Sequence, residues 1–216
     1  MKIAHRFPLY ALALLLALLP LAALAQASAT VPKAGVDYVL IENGKPFAPL
    51  DGKIEVVEVF SYTCGHCAQF QPMLDAWKAR QRDDVRVTYL PLATGPGDHL
   101  SRAFFALQDT GELDRGHAAT FRAIHERGAL SRRPEAAELA AFYTGLGLDG
   151  TALQRAMAEE SVTTRMAAAY RHALNQGVEG TPTVIVNGRY RVTARTHEDR
   201  LRIADALIAR LRTQRR

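Results

Sequence analysis

Ile54-Glu55-Val56-Val57-Glu58-Val59-Phe60-Ser61-Tyr62-Thr63-Cys64-Gly65-His66-Cys67-Ala68-Gln69-Phe70 passes from one structural period to another. Residues 54–60 are apolar and β-branched, the composition of a buried strand. From Ala68 to Trp77 apolar residues recur at helical spacing, and Pro72 inside that run predicts a kink. The two cysteines of the chain, Cys64 and Cys67, fall at the junction. A cysteine at a helix N-terminus faces free backbone N–H groups and the positive end of the helix dipole. Both favour thiolate, which is the reactive form. A disulfide enclosing two residues does little to restrict an unfolded chain, so a purely structural bridge is a poor explanation.

A zinc half-site is the competing reading of the motif. Zinc needs four ligands, and a mixed Cys and His site needs two histidines three to five residues apart. The histidines at 66, 99, 117, 125, 172 and 197 supply no such pair. No metal and no bound cofactor are expected.

The chain opens like an export signal. Met1-Lys2-Ile3-Ala4-His5-Arg6 is basic, Leu9 to Leu19 is nearly all Leu and Ala, and small-x-small sites follow at Ala23-Leu24-Ala25 and Ala27-Ser28-Ala29. A signal over residues 1–25 is expected, with cleavage alternatively near 29. An uncleaved anchor is the other possibility, but Pro20 cuts the apolar run short of a span of roughly 20 residues. The remainder suffices for one domain with an insert. Net charge is +5, and without Lys2 and Arg6 it falls to about +3. No basic patch interleaved with aromatics argues for nucleic acid.

Two-residue and helical periods alternate along the rest. Asp37-Tyr38-Val39-Leu40-Ile41 reads as a short edge strand, and Val85-Arg86-Val87-Thr88-Tyr89-Leu90 as a strand parallel to residues 54–60. From Gly95 to about Glu160 only helices are expected, at 98–109, 112–127, after Pro134, and from the cap Asp149. A longer helix covers 162–176. Pro182-Thr183-Val184-Ile185-Val186 and Tyr190-Arg191-Val192 flank Asn187-Gly188, a two-residue hairpin signal, and a last amphipathic helix starts near His197.

This order, with C-x-x-C opening the first helix, resembles the thioredoxin fold, an α/β architecture. The helical insert makes the chain similar to the exported DsbA-like thiol–disulfide oxidoreductases. Two stretches carry the likeness: Val57 to Phe70, and Gly180-Thr181-Pro182-Thr183-Val184-Ile185-Val186-Asn187-Gly188. The division expected is a thioredoxin-like domain from 30–94 and 162–216, interrupted by a helical insertion at 95–161. Three positions depart from the family pattern. Gly65 stands where Pro is commonest, Thr181 where several members carry Val, and Gln71 where an acid is frequent. They bear on potential and substrate range rather than on reaction class.

Cys64, first in the motif, is expected to be the nucleophile, and Cys67, one turn in, the resolving thiol. His66 is expected to stabilise the Cys64 thiolate by charge or by hydrogen bonding. The resemblance makes Pro182 a cis-proline facing the dithiol, and Thr181 the residue whose backbone pairs with an extended substrate. Glu58 breaks an apolar strand. It resembles the family's buried acid, which exchanges protons with the resolving cysteine, and Arg86 is the cation the next strand offers it. His99, His117 and His125 read as surface residues, and an apolar surface that receives unfolded chains is expected around Tyr62, Thr63 and the hairpin.

The function implied is a periplasmic dithiol oxidase acting as a monomer on unfolded or reduced exported proteins. A DsbB-like, quinone-linked membrane partner would reoxidise it. The alternatives are an isomerase or reductase on the same scaffold, or a non-redox peptide-binding chaperone.

Overall fold

A computed structural model describes residues 31–214. The signal expected over residues 1–25 lies outside the described residues. The elements are β1 (Tyr38–Leu40), β2 (Ile54–Phe60), α1 (Gly65–Lys78), β3 (Val85–Pro91), α2 (His99–Asp109), α3 (Leu113–His125), α4 (Ala136–Gly145), α5 (Gly150–Ala158), α6 (Glu160–Asn175), β4 (Thr183–Val186), β5 (Tyr190–Val192) and α7 (His197–Gln214). The strands form one sheet in the order β1-β5-β4-β2-β3. β2 runs parallel to β3 and antiparallel to β4.

β2 is buried at all seven positions, which explains why its sequence is a continuous β-branched run without polar alternation. Helices α7 and α6 pack on the sheet, α7 against β2, β4 and β5 and α6 against β3. α1 continues through Pro72, which lies on its exposed side. The five helices α2–α6 lie between β3 and β4. Asp98 and Asp149 cap α2 and α5 by accepting from the N–H groups of Ser101 and Ala152. The inserted helices join the sheet at Phe60, the last residue of β2. Its ring meets those of Tyr62, Phe104, His117 and Phe121 with centroids 5.1, 5.4, 4.9 and 5.8 Å away.

Register separates the two acids of β2. Glu55 pairs with Arg86 and Glu58 with Tyr89, and residues three apart on a strand face opposite sides. Arg86 therefore serves Glu55, at 3.0 Å, not Glu58 as the sequence suggested. Thr88 Oγ1 and the Phe47 N–H complete the Glu55 shell at 3.1 and 2.7 Å.

Asn187 and Gly188 join β4 to β5 with φ of 55° and 64°, the two left-handed residues of a type I′ turn. A Cβ on Gly188 would lie 2.1 Å from the Lys45 carbonyl carbon. Gly188→Ala is therefore expected to lower stability by about 3 kcal/mol, from left-handed strain plus backbone overlap. Urea melts measure it, and Asn187→Gly, which meets the same φ without strain, is the contrast.

Candidate active site

Ser61 to Cys64 form a turn between β2 and α1, closed by the Cys64 N–H donating to the Ser61 carbonyl at 3.0 Å. Cys64 is the N-cap of α1 and half-buried, whereas Cys67, one turn in, is buried. The Thr181–Pro182 peptide is cis, and Cys64 Sγ donates to the Thr181 carbonyl oxygen at 3.2 Å. The loop before β4 thus meets the first cysteine, as the sequence suggested.

Burial is the largest influence on Cys64 and pushes its thiol up. Hydrogen bonds from the Thr181 side chain, from the backbone and thiol of Cys67, and from the His66 backbone outweigh it, so the thiol is held below its ordinary range. Cys67 moves the other way. Burial pushes it well above the thiol range; a hydrogen bond from the Ser61 backbone opposes this, the charge of Glu58 adds to it, and Thr181 gives a smaller downward pull. His66 is exposed, its ring 6.4 Å from that of His197. Among the described residues its contact with the Cys64 sulfur is through the backbone, not the ring.

Glu58 lies behind the pair, fully buried, and neither of its carboxylate oxygens has a hydrogen-bond partner among the described residues. Burial foremost, then the charge of Asp75, pushes its carboxyl up to about 8, while Arg200 pulls it down and Cys64 adds a smaller upward push. Arg200 is half-buried over the Phe70 ring, 5.5 Å from the centroid, and bonds His197 Nδ1 at 2.8 Å. A cleft of about 560 Å³ beside the motif is lined by His66, Thr181, Pro182, Arg191, His197 and Arg200. A second groove, about 700 Å³, is apolar, with Leu92, Pro96, Met166, Ala167 and Tyr170 beside Ser61. No cluster of three or more metal-ligating side chains exists among the described residues.

A half-exposed, low-pKa cysteine facing a cis-proline loop, with a buried second thiol and a buried acid, is equipped for thiol–disulfide exchange. A family profile described as thioredoxin matches residues 44–206. The thiol:disulfide interchange protein DsbA of Azotobacter vinelandii is 36% identical over 84% of this chain and 85% of that protein. DsbA of Pseudomonas aeruginosa is 34% identical over 83% of this chain and 85% of that one. The crystal structure of oxidoreductase DsbA from Xylella fastidiosa shares 46% identity at a TM-score of 0.81, covering 85% of this chain and 99% of that one. The chain belongs to the DsbA-like thiol:disulfide oxidoreductases.

In this DsbA-like chain two expectations need correction. His117 is not a surface residue but buried, with 4% exposure. Its Nε2 meets Gln71 Oε1 at 3.0 Å and its Nδ1 meets the Tyr62 hydroxyl at 2.7 Å. Gln71 turns its amide nitrogen to Asp75 at 2.9 Å, so its oxygen faces His117 and can only accept. His117 Nε2 therefore donates and Nδ1 accepts from Tyr62. Burial foremost, then Lys78, pushes its imidazolium down to about 3, so it is neutral at working pH. The signal was present, since His117 shares a helical face with Phe121 and Ile124. Second, Tyr62 is itself buried at 2%, so the apolar surface beside the motif is the Leu92–Tyr170 groove instead. His125 and Arg132, which sequence reasoning did not assign to the site, bond the carbonyls of Tyr62 and Thr63 at 2.8 and 2.6 Å.

Glu58 also sets a pH dependence of stability. With its carboxyl raised from 4.5 to about 8, the folded state keeps between those values a proton that the unfolded chain releases. The contribution is fully present below about 4.5 and is lost as pH rises through about 8, at up to about 1.4 kcal/mol per pH unit. Glu58→Leu should gain on the wild type by about 4 kcal/mol between pH 5 and pH 8, read from urea melts at both. Parallel pH profiles of the two proteins would mean that Glu58 is ionised in the folded state.

Proposed function

We propose that the protein is a dithiol oxidase, exported to the periplasm by a signal at residues 1–25, that introduces disulfides into other exported proteins. The observation that carries this is the opposed environment of the two thiols. Cys64 is half-exposed and held low against Thr181, while Cys67 is buried and held high.

In the oxidised enzyme a substrate thiolate attacks the Cys64 sulfur, the Cys64–Cys67 bond breaks, and Cys67 leaves as a thiolate. Cys67 is too buried to keep that charge, and Glu58, protonated near neutral pH, supplies the proton. A second substrate thiolate then attacks the substrate sulfur of the mixed disulfide and expels Cys64 as a thiolate. Two electrons have passed from the substrate dithiol to the enzyme. Hydrogen bonds from Thr181 and from the backbone N–H groups of His66 and Cys67 make Cys64 a good leaving group. His66, at the cleft edge, adds positive charge when protonated. The Thr181 backbone offers an edge to an extended substrate segment, with Pro182 closing the loop beneath it.

The thioredoxin-like part is assigned to 30–94 and 162–216 and the helical insertion to 95–161. The protein acts as a monomer without a bound cofactor. Its partners are reduced exported proteins and a quinone-linked membrane reoxidant similar to DsbB.

Cys67→Ala is expected to accumulate mixed disulfides with substrate proteins on non-reducing gels, while Cys64→Ala accumulates none. Equal trapping by both would reverse or erase the division of roles.

Stabilising one thiolate favours the reduced enzyme, so reduction should raise stability in urea. Equilibration with glutathione should place the potential between about −180 and −120 mV, the values of disulfide isomerase and of a strongly oxidising DsbA. A value near −270 mV, that of thioredoxin, with a more stable oxidised form, would assign the protein to the reductases.

A further inference from the structure

The turn that presents Cys64 is completed by the helical insert. A β-turn uses the carbonyl of its first residue and the N–H of its fourth, and leaves the carbonyls of the middle two without a partner inside the turn. Here the closing bond is Cys64 N–H to Ser61 carbonyl, and the Ser61 and Thr63 hydroxyls brace each other at 3.0 Å. The middle carbonyls belong to Tyr62 and Thr63. His125 Nε2, at the end of α3, lies 2.8 Å from the first, and Arg132 Nη1, in the loop before α4, lies 2.6 Å from the second. A carbonyl only accepts, so His125 carries its proton on Nε2. His117, also on α3, takes the Tyr62 hydroxyl. Three side chains of the insert thus hold the two residues directly before the first cysteine. Arg132 is exposed, and no carboxylate pairs with it among the described residues.

Taking Cys64 as the nucleophile, as proposed above, we infer that His125 and Arg132 are positioning residues of the redox site. They fix the Tyr62 and Thr63 carbonyls so that neither adds a second carbonyl dipole at the Cys64 sulfur, beside the Thr181 carbonyl it already meets. Without those donors the two peptide planes are free to turn, and a carbonyl oxygen swung toward the sulfur opposes the thiolate. The other charged and titratable groups around the dithiol and its cleft are His66 on α1, Glu179 before β4, Arg191 on β5, Arg195 before α7, His197, Glu198 and Arg200 on α7, and Glu58 and Cys67 behind it. Arg132 adds a guanidinium at the carbonyl of Thr63, the residue before the nucleophile, in a groove it shares with Asp98, His99, Arg133 and Glu135. The insert on this reading helps set the reactivity of the thiol in addition to flanking the grooves.

The test uses the purified protein with Arg132→Ala, His125→Leu and His125→Gln, reading thiolate absorbance against pH, the rate of exchange with a dithiol peptide, and thermal unfolding. Arg132→Ala should raise the thiol midpoint and slow exchange about fivefold, the scale of one ordinary hydrogen bond, while leaving the unfolding temperature in place. His125→Leu should act in the same direction, and His125→Gln, which keeps a donor, should recover most of the loss. An unchanged titration and rate in both Arg132→Ala and His125→Leu overturns the inference. So does a lowered unfolding temperature with an unchanged titration, since the contacts would then serve the fold alone. Cys64→Ala is the control: if exchange persists in it, the assignment of the nucleophile has failed rather than the role of the insert.

Discussion

A strand buried on both faces has to deliver a thiol to the surface within four residues of its end. β2 is enclosed as far as Phe60, whose ring is gripped by Tyr62, Phe104, His117 and Phe121, so the strand end has little freedom to slide. The Ser61–Cys64 turn then lifts the first cysteine to half exposure and starts α1 there. Half exposure is what the chemistry needs. A fully buried sulfur is closed to a substrate, and a fully exposed one gains little from N–H donors that compete with water. Cys67, only three residues on, is already inside the core. The helical rise alone therefore makes two chemically identical side chains unequal.

The same strand carries two buried acids whose fates diverge by parity. Glu55 turns to the side where Arg86, Thr88 and the Phe47 N–H converge, and its three partners make it a tie between strands and loop. Glu58 turns to the other side, where no donor among the described residues reaches it. An unpaired buried carboxyl holds its proton until pH is well above the usual range. It then sits behind a thiol, Cys67, that also resists negative charge, and the charge of Glu58 would raise that thiol further. Burial thus gives the strand's acid and the second thiol the same preference for the neutral form, the property on which the proposed proton exchange between them rests.

What could be read from the sequence was local. The strand into C-x-x-C, the Asn187-Gly188 turn, the Asp98 and Asp149 caps and the stripe of α7 each announce themselves within a few residues, because propensity and hydrogen bonding there are settled by neighbours in the chain. What could not be read was set by register and by helix docking. A three-residue shift of β3 would have placed Arg86 opposite Glu58, and nothing in either strand's composition fixes that offset. His125 and Arg132 reach the turn from 63 and 69 residues away, through a packing of α3 on α1 that no periodicity reveals. His117 was the readable case, since a histidine on the apolar stripe of α3 had to find buried partners.

The Gly65 departure can now be located physically. Gly65 is exposed, its φ is not left-handed, and a side chain at that position would meet nothing within 4 Å. Glycine is therefore not there to avoid a clash, and packing does not distinguish it from the commoner proline. Position 65 is the first residue of α1, where a proline's missing N–H is harmless and its fixed φ suits the helix. The difference lies in chain freedom, because glycine leaves the first turn looser than proline would. The backbone donors that support the Cys64 thiolate belong to His66 and Cys67, the two residues that follow. How firmly they are aimed depends on the link before them. A glycine there weakens their alignment without removing a single contact, and the fixing of the Tyr62 and Thr63 carbonyls on the other side of Cys64 matters correspondingly more.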